Sequence, residues 1–193
     1  MFHNSRLLAI AVAALTLGAC GGPSTTLDQS WTAPARSRPQ LQRVVTLFVG
    51  ESVTMRHDAE DQLARDLRAR GLDATSSYMI IGDEPIADLE IVKPKLLALG
   101  YDGLVTMRIV DRENTVKSVP GFDGYYGYSY GWGGDYVYPE TIYRIETVAY
   151  SLQTGQLVWS GTTKSVDPDT LNELIEDTTQ VIAGQLTRRG AGG

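Results

Sequence analysis

His57 is the only histidine of this 193-residue chain beyond the third position, and it stands beside Asp58 and close to Glu60 and Asp61. An imidazole among carboxylates could act as a general base or hold a metal. Spacing supports neither: a transition-metal site draws on three or four His, Cys or carboxylate ligands at short intervals. A nucleophile elbow of the form Gly-x-Ser-x-Gly is also missing. The expectation is therefore no catalytic residue, no metal and no cofactor. Asp83, Glu84, Asp88 and Glu90 flank a turn and a helix start, where negative charge complements the helix dipole, and they lack the regular spacing of a calcium loop. Asp123, Asp135 and Glu140 lie in or beside an aromatic segment, and two carboxylates about 5 to 10 Å apart suffice for glycoside hydrolysis. A carboxylate-dependent hydrolase is kept as the last of three readings.

That aromatic segment, residues 121–138, holds six of the ten tyrosines and Trp132, interleaved with glycine. It has no helical period, and its glycines weaken a strand. It is expected to be a long loop, 117–139. Loops of about 20 residues in compact domains are more often functional than accidental. Tyr and Trp pair a flat apolar face with a polar handle, which suits sugar stacking, protein interfaces and the lipid headgroup zone. Tyr125, Tyr126, Tyr128, Tyr130, Trp132, Tyr136 and Tyr138 are the candidate binding residues. The competing explanation is that some of these rings fold back onto the protein's own sheet. The glycines do not form a phosphate cradle, because no Gly-Lys-Ser/Thr ending and no following helix accompany them.

The chain opens with one firm positive charge, Arg6, and an apolar run from Leu7 to Leu17. That run is shorter than the roughly 20 apolar residues that span a bilayer. A charged start, a short apolar middle and small residues before a cleavage point describe an export signal. Leu17-Gly18-Ala19-Cys20 resembles the lipobox of bacterial lipoproteins, which implies cleavage after Ala19, a lipidated Cys20 and membrane attachment. Cys20 is the only cysteine, and a lone thiol in an exported protein is otherwise hard to account for. Gly21 follows it, where an Asp would typically retain an enteric lipoprotein in the inner membrane. The expected location is the periplasmic face of the outer membrane, or the outer face of the cytoplasmic membrane in a cell with one membrane.

Loss of residues 1–19 takes the formal net charge from −6 to −7, which argues against nucleic acid as a partner. Residues 20–42, with Pro23, Pro34 and Pro39, read as a tether whose contour is on the order of 70 Å. Trp31 is expected to dock on the domain.

The folded unit is expected over 43–189. Val44 to Val49 is apolar on both strand faces, as in a central strand. Residues 56–70 place Ala59, Leu63 and Leu67 on one helix face, with Asp61 and Arg65 paired on the other and Gly71 as the stop. A second strand follows at about 72–79, and a helix at 89–99 with Pro94 near its first turn and Gly100 as its stop. Val105, Met107 and Ile109 mark a third strand. Residues 140–152 and 156–164 are antiparallel partners across the turn 153–155. Asp167 and Pro168 open the last helix, as cap and first residue, and 190–193 fray. The fold class is an α/β single-domain sandwich in βαβαβββα order, a mixed sheet with helices packed against it.

From Ser30-Trp31-Thr32-Ala33-Pro34, through 44–70 and Val119-Pro120-Gly121, to Thr154-Gly155-Gln156-Leu157-Val158-Trp159-Ser160 and Asp167-Pro168, the chain resembles a family of small, mostly uncharacterised bacterial lipoproteins. The resemblance implies a lipidated periplasmic domain with no established catalytic residues. At the level of fold, the chain is also similar to the lipoproteins that activate cell-wall synthases and to the amino-terminal domain of TolB, a likeness that transmits no function. The leading expectation is a non-enzymatic, membrane-anchored binding or scaffold module that meets an envelope protein through the aromatic loop. A peptidoglycan or glycan-binding module stands second. Oligomeric state is left open.

Overall fold

The computed structural model describes residues 25–83, 89–119 and 136–188. Among them ten elements follow in order: β1 (Thr25–Thr32), β2 (Arg43–Val49), α1 (Val53–Arg68), β3 (Asp73–Ser76), α2 (Tyr78–Ile81), α3 (Leu89–Ala98), β4 (Gly103–Val119), β5 (Tyr136–Ser151), β6 (Leu157–Val166) and α4 (Leu171–Arg188). The strands form one mixed sheet in the order β1-β6-β5-β4-β2-β3. β2 is parallel to β3 and β4, and β4, β5, β6 and β1 are successively antiparallel. The expected α/β class and element order hold, with a strand added in front and a short helix after β3.

β2 shows why the sheet is covered on both sides. Successive side chains point to opposite faces, so Val44 and Phe48 enter one core, with Leu63 and Leu67 of α1 and Leu174 and Ile182 of α4. Val45 and Leu47 enter a second core with Leu96 of α3, Tyr101, Leu104 and Leu152. The apolar run in the sequence thus reflects a central position between β4 and β3. Thr46, wholly buried, donates its hydroxyl to the Glu60 carbonyl at 2.9 Å.

Several boundaries differ from the sequence reading. Residues 25–32, taken as tether, are the edge strand β1, paired with β6 from Thr25↔Ser165 to Thr32↔Trp159. Only Thr25 in it is fully buried, so no alternation of apolar residues announces it. α1 begins at Val53 because the Ser52 side chain accepts the Met55 amide. β3 ends at Ser76 and α2 begins two residues later at Tyr78, instead of the strand running to Met79. Pro94 is the sixth residue of α3, not part of its first turn. Gly71, Gly100 and Gly155 take positive φ, as chain reversals at helix ends and in a tight hairpin require.

Asp167 does not cap α4. It has φ +47, and its carboxylate accepts the Thr141 amide at 2.6 Å, tying the end of β6 to β5. The cap is Thr170, whose hydroxyl accepts the Glu173 amide at 3.1 Å, while the Glu173 carboxylate reaches back to the Asp169 amide at 2.7 Å. This is a near relative of the capping box, one residue out of register.

β4 and β5 pair along their whole length, from Gly103↔Ser151 to Val119↔Tyr136. β2 accompanies β4 only as far as Arg108, and β6 accompanies β5 only from Ile142 onward. Residues 114–119 and 136–141 therefore form a two-stranded arm that extends beyond the sheet, and a register shift between Ile109 and Asp111 lies below it in β4.

Candidate functional site

Two places collect side chains that could act. The first lies at the carboxyl ends of β2 and β3, a position where open α/β sheets commonly hold ligands. α1 runs past this end and contributes Arg56, His57, Glu60 and Asp61; α2 contributes Tyr78, and the turn after it Asp83.

Glu60 is completely buried. Its carboxylate accepts from the Phe48 amide (3.1 Å), Arg56 Nε (2.9 Å), Ser77 Oγ (2.8 Å) and the Tyr78 amide (3.2 Å). The Arg56 guanidinium also donates to Ser77 Oγ and to the carbonyls of Gly82 and Asp83 at 3.0 to 3.2 Å. A buried carboxylate with this many donors is immobile, which suits joining α1 to β2 and α2.

Around this network lies a second ring of contacts. His57 Nε2 meets Asp83 Oδ1 at 2.5 Å, and the imidazole stacks on Tyr78 with centroids 3.8 Å apart. Tyr78 donates its hydroxyl to Asp61 at 2.8 Å, and Ser76 donates to the same carboxylate. That hydrogen bond, followed by burial and the neighbouring carboxylates, raises the Tyr78 pKa above its ordinary 10.0. Asp61 is thus committed to Tyr78 and Ser76, and Arg65 to Gln62, so the expected Asp61–Arg65 pair does not form. His57 and Asp83 come together, although they were read separately. The Arg56–Glu60–Ser77 network was missed altogether; its one signal is that positions 56, 60, 63 and 67 share a helix face. Among the described residues no group of three or more His, Cys, Asp or Glu is arranged to hold a metal ion.

The second place is the arm. Val116, Val137 and Tyr138 are 67%, 61% and 55% exposed. Tyr138 faces Lys117 across the ladder, and Val116 faces Pro139, which has no amide to offer a further strand. Glu140 lies 3.8 Å from Lys117. Lower down, Arg144 donates to Glu113 at 3.4 Å and to Asp111 at 2.6 Å, and these hydrogen bonds raise the pKa of its guanidinium.

Of the sequence candidates, Tyr136 lies in β5 opposite Val119, and Tyr138 lies on the open arm. Tyr125, Tyr126, Tyr128, Tyr130, Trp132, Asp123 and Asp135 lie outside the described residues, as do Cys20 and the signal segment. Trp31 is on β1, opposite Ser160 and 47% exposed, so half of its surface is docked.

The class that this architecture defines is a small α/β domain with a six-stranded mixed sheet. PelC from Paraburkholderia phytofirmans, a dodecamer, aligns with a TM-score of 0.52 and 15% identity over 84% of this chain and 97% of its own. A variant of the same PelC aligns at 0.50 and 15% identity, over 83% of this chain and 98% of its own. Lipoprotein GNA1162 from Neisseria meningitidis aligns at 0.44 and 12% identity, over 76% and 99%. At these identities the likeness to PelC is one of fold. No protein-family model matches the sequence, and no curated protein is similar to it in sequence. No helix among the described residues is long and apolar enough to cross a membrane.

Proposed function

We propose that the chain is a lipid-anchored envelope protein, acylated at Cys20, which acts by binding and not by catalysis, and that its working surface is the arm formed by β4 and β5. The observation that carries this reading is the arm itself. A two-stranded ribbon is at best marginally stable alone, and this one leaves the sheet with Val116, Val137 and Tyr138 facing solvent. Apolar side chains at the end of such an extension favour a partner that covers them. The sequence between the two strands, rich in Tyr and Gly, has the composition of a contact surface. The polar cluster beneath α1 supports a non-enzymatic reading, because its carboxylates and its imidazole are engaged with one another. PelC is a dodecamer, and self-association is one form that binding through the arm takes under this proposal.

The test is photo-crosslinking in cells from position 138, with position 153 in the β5–β6 turn as control, followed by mass spectrometry of purified envelopes. Adducts specific to position 138, whether to another protein, a second copy, glycan or lipid, are expected. Equal labelling at both positions in a folded, acylated protein would remove the arm from the function. Replacing Cys20 with Ser is expected to abolish both fatty-acid incorporation and pelleting with membranes.

A further inference from the structure

The strand directions bring the arm and the route to Cys20 to the same pole of the molecule. Thr25 pairs with Ser165, Ser165 with Tyr143, and Tyr143 with Arg112, so the chain enters the sheet level with Arg112 of β4. From that level β4 continues seven residues to Val119, a contour of about 23 Å at roughly 3.3 Å per residue. Five residue steps separate Cys20 from Thr25, a span of at most about 18 Å. The arm reaches farther from that level than the link to Cys20 can.

The chemistry of the arm changes along the same direction. Asp111, Arg112 and Glu113 lie at its base, and Lys117 and Glu140 form the farthest charged pair among the described residues. Beyond them the described residues are Ser118, Val119, Tyr136 and Val137, with Tyr138 beside Lys117. A charged base, then the Lys117–Glu140 pair beside exposed Val116, Val137 and Tyr138, is an arrangement that suits passage from water toward headgroups.

We propose that Val116, Val137 and Tyr138 seat the tip of the arm in the headgroup zone of the same membrane that holds the Cys20 lipid, so that the partner of the arm is a lipid surface. This rests on the reading of Cys20 as acylated. The anchor keeps the tip at high local concentration beside the bilayer, so a contact too weak to recruit a free protein suffices here. On the membrane Lys117 exchanges its 3.8 Å contact with Glu140 for the lipid phosphates.

Because Cys20 is the only cysteine, an introduced cysteine is the only free thiol of the acylated chain. The experiment places an environment-sensitive fluorophore at Val116→Cys, Val137→Cys or Gln153→Cys in the full-length lipidated protein. Each labelled protein is reconstituted into phosphatidylethanolamine–phosphatidylglycerol vesicles carrying a headgroup nitroxide quencher. The expected result is a blue shift and strong quenching at 116 and 137, with neither at 153, which lies in the turn at the other end of β5. If the mass of the Cys20 peptide shows acylation and the labels at 116 and 137 behave like the one at 153, the membrane contact is wrong and the lipoprotein reading stands. If Cys20 carries no acyl group, both fall.

Discussion

Glu60 and Arg56 are four residues apart on α1, a spacing that on a solvated helix face is worth only a few tenths of a kcal/mol. Here the burial of both side chains makes the pair a commitment: removing the carboxylate strands a guanidinium in the interior. Glu60→Ala is expected to lower unfolding stability by about 3 to 5 kcal/mol, read as a fall in the urea midpoint at neutral pH. A loss within about 0.5 kcal/mol would match an ordinary surface site and contradict the network. Tyr78 gives a pH signature. Its raised pKa means that the unfolded chain releases the phenolic proton first as pH rises, so the stabilisation is complete below about pH 10 and is lost as pH climbs through the folded value. In Tyr78→Phe that alkaline loss should shrink, and a tyrosine that ionises above the ordinary range should disappear from a phenolate absorbance titration. Little of this was legible in the sequence. An Arg and a Glu in an apolar stripe look the same whether they reach water or each other, and His57 and Asp83 are 26 residues apart.

At the scale of elements, the helices α1 and α4, the strand β2 and the β5–β6 turn were legible because each buries a regular apolar pattern or ends on a glycine. β1 and the arm were not, since strands exposed on both faces have no burial period to display. β4 was expected to end near Ile109, yet its hairpin partner carries it ten residues further. If the arm is as independent of the core as its exposure shows, replacing residues 115–140 with a two-residue Asn-Gly turn should leave the urea midpoint nearly unchanged, within about 0.5 kcal/mol. The opposite behaviour is expected at Gly161 in β6. A Cβ there would lie 2.4 Å from Cη2 of Trp159, a ring that is 2% exposed and has no room to turn away. Gly161→Ala should cost about 1 to 3 kcal/mol through overpacking, a difference readable in the same denaturation curves.

The molecule as a whole is a sheet whose first strand is added at its far edge, beside its last strand. The Thr25 and Ser165 hydroxyls meet at 2.6 Å across 140 residues of sequence, so β1 cannot pair until β6 exists. Closing so long a loop is entropically slow. The amides of β1, on an edge with a single neighbouring strand, should exchange hydrogen well before those of β2 and β4; equal protection across the sheet would show that β1 belongs to the main cooperative unit. Arrangement of this kind has a bearing on assembly order. Until the final strand is made, residues 25–32 have no strand to pair with. Once β6 forms, they are stitched into the sheet five positions from Cys20, so under the proposed acylation the enzymes that modify that cysteine meet a different substrate before and after the fold closes.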